Sequence, residues 1–327
     1  MSINPLVMPE TSIPAQTAPI AGSERIVSTQ AIATLHALPD IGVLRLAGRD
    51  AIAFAQAQFA NDVAKLVDGQ WQWNLWLSAK GRVLAVFALL RVGAEELIAV
   101  VPDVPATKFA QELTRFRFRS KVDIAALDGA MASGSFEAPA AHGLDASGNR
   151  AGIERDEAGA WQRIAFDFSG ATPRTLVLQS TSSNMATDDD FAARWKLEDL
   201  AHGLPRLGPA QFDSFTPQML GLERLHAFSV KKGCYPGQEI VARTHFLGQA
   251  KRGPVRLALN RLVEAGTKLS PAEGSTTSVN AEIIAIAQSG ERIEALAVAP
   301  LEAAASTFGD ASGIMASPLP LLDGLSR

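Results

Sequence analysis

One cysteine and one tyrosine are all that 327 residues hold of either type, and histidines number five. A lone cysteine excludes an internal disulfide framework and any all-cysteine zinc or iron–sulfur site within a single chain. It fits a reducing compartment. No run of about 18 apolar residues occurs, so no spanning helix is expected. The 30 basic and 34 acidic residues leave a net charge of −4. The chain as a whole exerts no strong pull on nucleic acid, and no direct nucleic-acid binding is expected, although a local basic patch stays open. Neither a dinucleotide fingerprint, nor a P-loop, nor an HExxH string is present. Residues 1–22 lack the basic start and apolar core of a secretory signal. Their Pro, Ser, Thr and Ala content predicts a flexible tail to about residue 24, with the cytoplasm as default location. What is present is ordinary for a globular protein: 47% hydrophobic and 20% charged residues, enough for two or three domains.

The pattern along the chain mixes hairpins with single helices, which predicts an α+β fold with antiparallel sheets and not a doubly wound parallel sheet. A short helix is expected over residues 24–38, then a strand at 41–47. The next element is a helix, with Ile52, Ala55 and Phe59 on one face. Residues 71–78 alternate cleanly, with Trp71, Trp73, Leu75 and Leu77 on one side. Ala79-Lys80-Gly81 turns the chain into a strand over 82–92 that is apolar on both faces. Further strands are expected at 96–101, 121–127, 161–168 and 174–179, with helices over 105–118 and 188–202. The acidic residues Asp188, Asp189 and Asp190 suit the positive end of the second of these helices. Thr216-Pro217-Gln218 offers an N-cap with proline at the first helical position. The short strands at 255–260, 281–288 and 292–299 predict a small C-terminal β-barrel or sandwich. The expected divisions are 25–130 and 131–252 as two intertwined α+β subdomains, 253–308 as the barrel, and 309–327 as a loose tail.

The chemistry centres on Lys231-Lys232-Gly233-Cys234-Tyr235-Pro236-Gly237-Gln238-Glu239. Glycine and proline make this a tight, shaped loop. Cys234 is placed just before the N-terminus of a helix over residues 238–243, where the helix dipole and the two lysines would favour a thiolate. Gln238 and Glu239 either cap that helix or reach a ligand. Arg243 either forms a surface ion pair or holds a carboxylate. Asn61 is a helix C-cap or a ligand contact, and Trp73, beside Trp71, is core or part of an aromatic wall. A metal site using Cys234 with His226 and His245 matches no standard spacing.

The run from Lys232 to Arg243, Lys-Gly-Cys-Tyr-Pro-Gly-Gln-Glu-Ile-Val-Ala-Arg, closely resembles the signature of the YgfZ family. Phe215-Thr216-Pro217-Gln218, Gly203-Leu204-Pro205, Asn61-Asp62-Val63 and Lys80-Gly81-Arg82 match it too, so the likeness spans about residues 40 to 300. The wider superfamily is similar to the glycine-cleavage T-protein, a tetrahydrofolate-dependent aminomethyltransferase. The resemblance implies a three-domain α+β ring that binds tetrahydrofolate centrally and carries a C-terminal β-barrel. It implies an accessory role in the assembly or repair of iron–sulfur clusters in enzymes, including tRNA-modifying ones. Folate and iron–sulfur enzymes or assembly factors would be the partners, with no membrane involved. Cys234 is then the residue function depends on. Asn61, Trp73, Lys232, Tyr235, Gln238, Glu239 and Arg243 are the expected cofactor-binding residues, and no metal ligands are expected. The alternative is a tetrahydrofolate-dependent aminomethyl- or methyltransferase. Two departures bear on it. No carboxylate stands at Ala85 or Val86, where the T-protein has acidic residues that assist the chemistry. The Glu that can bond a pterin ring is replaced by Ala201, with Glu198 and Asp199 close enough to substitute.

Overall fold

The alternation at residues 71–77 builds the first sheet. In the computed structural model Trp71, Trp73, Leu75 and Leu77 face one core, and Trp76 faces another. The structure describes residue 1 and residues 34–102, 104–181, 185, 187–248, 250–271 and 278–327. Every strand and helix among these residues lies within the unit Ala33–Arg327.

The chain enters through β1 (His36–Ala37), β2 (Ile41–Ala47) and α1 (Ala51–Gln58), then runs through β3 (Trp71–Leu77), β4 (Val83–Gly93) and β5 (Glu96–Pro102). Helix α2 (Ala106–Thr114) leads to β6 (Asp123–Ala126). The first sheet has the antiparallel order β3-β4-β5-β2-β6. Strand β4 is apolar on both faces because it divides two cores. Val86, Ala88 and Leu90 face inward with Trp73, while Ala85, Phe87 and Leu89 pack under Phe54 of α1 and Phe109 of α2.

Strands β7 (Met131–Ser135), β8 (Gly152–Arg155), β9 (Trp161–Asp167) and β10 (Thr175–Gln179) form a second sheet with β1, in the order β1-β7-β10-β9-β8. Helix α3 (Asp189–Ala201) begins as the acidic run predicts: the Asp188 carboxylate accepts from the Phe191 N–H at 2.9 Å. Gly203, at φ +71°, ends it. Helix α4 (Gln238–Leu247) leads into β11 (Arg252–Leu259), β12 (Lys268–Pro271), β13 (Ala281–Ser289), β14 (Arg292–Pro300), β15 (Phe308–Gly309) and β16 (Met315–Leu319), which close a barrel. Among the described residues, no helix is long and apolar enough to cross a membrane.

Three expectations are corrected. Of the helix expected over residues 24–38, residues 24–33 lie outside the described residues, as does the tail over 2–24. Its end is strand β1, because His36 and Ala37 pair with Gly134 and Ser133 of β7; sheet pairing overrides weak helix propensity. Thr216 does cap, accepting the Met219 N–H on its hydroxyl at 3.3 Å, but residues 217–226 run as successive turns and not as a helix. Residues 309–327 are not loose. They supply β16, whose Ala316 is buried opposite Leu259 and Phe308, and then a docked segment. Leu322 donates its N–H to the Ala201 carbonyl at 2.8 Å, and Leu325 is buried.

Candidate functional site

The cysteine loop is held by backbone close approach. Gly237 sits at φ +78°, and a Cβ there would come within 2.6 Å of both Gly81 Cα and the Ser78 carbonyl in the β3–β4 turn. Gly81 faces it at φ +68°, with Ile240 of α4 2.8 Å from where its own Cβ would stand. Two glycines meeting face to face therefore lock the start of α4 onto the hairpin. Gly233, by contrast, has open space around it. Gly237 is the N-cap of α4, so Cys234 lies just ahead of the helix, as its spacing predicts. The thiol is exposed.

The dispersed motifs converge on this loop. Asn61 donates its amide N–H groups to the carbonyls of Trp73 (2.8 Å) and His226 (2.6 Å), and its backbone N–H goes to Asn74 Oδ1 at 2.9 Å. Gln218 donates to the Val241 carbonyl of α4 at 3.0 Å, and Arg82 donates to the Ser214 carbonyl at 2.8 Å. Lys80 remains exposed at the turn.

Lys232 points away from solvent. Its ammonium donates to the carbonyls of Gln56 and Phe59 at the end of α1 and lies 4.9 Å from the Tyr235 ring centroid. Helix α1 has no basic residue in its own last turn, so a cation 173 positions downstream of Phe59 serves its negative end. Burial pulls the Lys232 pKa down to about 8, against the opposing charge of Asp62. Tyr235 is buried, donates its hydroxyl to the Ser229 carbonyl at 3.3 Å, and has its pKa pushed up to about 12 by burial. Gln238 reaches back to the Lys232 carbonyl at 3.2 Å. Lys232, Tyr235 and Gln238 thus brace the loop from beneath, leaving Cys234 on its outer side.

The remaining nominees divide differently. Glu239 and Arg243 pair with each other at 3.3 Å on the exposed face of α4, an i,i+4 surface pair. Trp73 is core: it meets Trp71 edge-on at 5.5 Å and Phe168 at 5.3 Å, and its indole N–H donates to the Leu325 carbonyl at 2.7 Å. Arg327 lies 5.5 Å over Trp71. Asp199 is consumed by Arg174 and Arg206, and Glu198 accepts from the Thr172 hydroxyl. The Ala201 carbonyl accepts the Leu322 N–H. Ala85 and Val86 are both buried.

As placed, four of the seven residues expected to bind tetrahydrofolate are engaged within the protein. The side-chain polar groups of Asn61, Trp73, Lys232 and Tyr235 are already paired within the protein, and the Arg327 guanidinium lies over the Trp71 ring. A cavity of about 660 Å³ lies elsewhere, lined by Asp40, Gly42, Thr107, Lys196 and Pro209. Among the described residues no group of three or more His, Cys, Asp and Glu gathers to hold a metal. His245 is engaged by Glu223 at 3.0 Å.

No protein-family model matches the chain. It is 28% identical over 229 residues to the tRNA-modifying protein YgfZ of Colwellia psychrerythraea, covering 66% of this chain and 68% of that protein. It is 27% identical over 213 residues to an uncharacterized protein of Haemophilus influenzae, covering 64% and 68%. Its fold matches that of the glycine cleavage system aminomethyltransferase T of Bartonella henselae, with a TM-score of 0.64 over 89% of this chain and 86% of that one at 14% identity. The chain is thus similar in sequence to a YgfZ protein and carries the fold of the glycine-cleavage aminomethyltransferase.

Proposed function

We propose that this chain is a cytoplasmic accessory protein for the assembly or repair of iron–sulfur clusters in enzymes, including tRNA-modifying ones, and that it acts through Cys234. The observation that carries this reading is an exposed thiol on a loop whose neighbouring side chains Lys232, Tyr235 and Gln238 brace from below. Such a thiol can donate one ligand to iron shared with a partner chain; it cannot hold a cluster alone. The similarity to a protein named as tRNA-modifying agrees with this role. Tetrahydrofolate is the ligand class that the family resemblance implies. Because Asn61, Trp73, Lys232 and Tyr235 are already engaged within the protein, no step is drawn through it.

Aminomethyl or methyl transfer lacks support from β4. Ala85 and Val86 are buried apolar positions, and no acid replaces them there. A transferase at this place would need a group to move a proton at the donor nitrogen.

The test is complementation of a strain deprived of its own YgfZ-type protein. Cys234→Ser is expected to fold with an unchanged thermal midpoint, since an exposed side chain carries little packing, and to fail in complementation. Full rescue by a normally folded Cys234→Ser protein would refute the role of the thiol.

A further inference from the structure

The segment between α2 and β6 reads Thr114-Arg115-Phe116-Arg117-Phe118-Arg119-Ser120-Lys121. It carries four cations and two phenyl rings, with no carboxylate from Leu113 to Val122, in a chain whose net charge is −4. Among the described residues Arg117, Arg119 and Lys121 form no ion pair, and Arg115 pairs only with the exposed Glu112 at 2.8 Å. Phe116 is 41% exposed and rests edge-on against Trp76 at 6.1 Å, so packing accounts for it in part. Phe118 is 89% exposed. It also sits at φ +44°, a region that a bulky side chain rarely occupies. Packing therefore explains neither its ring nor its backbone.

The segment is nevertheless firmly held. Arg117 N–H donates to the Thr114 carbonyl at 3.0 Å, and Ser120 N–H to the Arg117 carbonyl at 2.8 Å. Asp50, at the N-cap of α1, accepts the Lys121 N–H on its carboxylate at 2.6 Å. The result is an open hollow of about 340 Å³ lined by Arg117, Phe118, Arg119, Ser120, Lys121 and Val122.

We infer that this strip binds single-stranded nucleic acid. Guanidinium forks match phosphate oxygens two at a time. An exposed ring set between them offers a face on which an unpaired base can stack. The concave, cationic lining suits a phosphate backbone better than a bilayer, which would need a convex apolar face. The whole-chain charge leads to the opposite expectation because the patch is local. The strip is also near the thiol loop: α1 joins Asp50 to the carbonyls that hold Lys232, about 12 Å along its axis at 1.5 Å per residue.

The test is fluorescence anisotropy of the full chain with short labelled oligouridylate and oligothymidylate across a potassium chloride series. Wild type is expected to bind at low salt and to weaken as salt rises. In Arg117→Ala/Arg119→Ala the slope of log affinity against log salt should flatten by about 1.4, two phosphates at about 0.7 each. Phe118→Gly should weaken binding about fivefold or more while keeping the wild-type slope, as loss of one base stack requires. Its thermal midpoint should not fall, because glycine accepts the positive φ. Equal binding of the two oligonucleotides, or a preference for RNA, both support the assignment. It is overturned if wild type binds neither, if duplex DNA binds more tightly than either, if both variants bind as wild type does, or if anionic phosphatidylglycerol vesicles capture the chain while oligonucleotides do not.

Discussion

Asp199→Asn is expected to lower the free energy of unfolding by about 3–5 kcal/mol. Asp199 is buried on α3 and receives Arg174 Nη1 at 2.8 Å on one oxygen and Arg206 Nη1 at 2.9 Å on the other. Arg174 is fully buried, lies 4.7 Å from the Trp195 ring centroid, and has no partner among the described residues for its Nε and Nη2. Asparagine keeps the volume and removes the charge, which leaves a buried guanidinium with little compensation. Urea denaturation reads the effect directly, as a lowered midpoint at an unchanged slope. An unchanged midpoint would show that this carboxylate is not the anchor of α3 and would reopen it as a ligand contact.

Gly237→Ala is expected to cost about 2–4 kcal/mol, combining the strain of a positive φ with overpacking. The added methyl meets backbone atoms of Ser78 and Gly81, which cannot rotate away as a side chain could. Relief requires that α4 and the β3–β4 turn separate, which would carry the cysteine loop with them. Thermal unfolding of Gly237→Ala beside Gly233→Ala discriminates the cause. Gly233 has open space and no positive φ, so its substitution should leave the midpoint nearly unchanged. Equal losses at both positions would contradict a specific glycine contact.

Much of the fold was legible because its signals are local. The alternation of Trp71, Trp73, Leu75 and Leu77 has the period of a strand, and the double apolarity of residues 82–92 belongs to a strand between two cores. The position of Cys234 ahead of a helix could be read from Gly237 and the helix-forming run after it. The work of the surrounding side chains could not. Lys232 and Asn61 bond to backbone carbonyls, and a carbonyl leaves no mark in a sequence. A lysine next to a cysteine reads as its electrostatic partner, yet this one turns inward to serve the end of α1. Docking of Leu325 and Arg327 against Trp73 and Trp71 was hidden for the same reason, since only the assembled sheets create the surface they meet. The basic strip at 115–121 was masked by totals: four cations vanish into a net negative chain.

A rigidly presented, freely reachable sulfur underlies the proposed function, and its being the only cysteine in the chain makes the decisive measurement clean. Native protein treated with a thiol-reactive disulfide reagent should release one equivalent of chromophore without denaturant, at a rate close to that of the unfolded chain, and the modified protein should keep its thermal midpoint. A thiol that reacts only after unfolding, or a modification that itself unfolds the protein, would contradict the account.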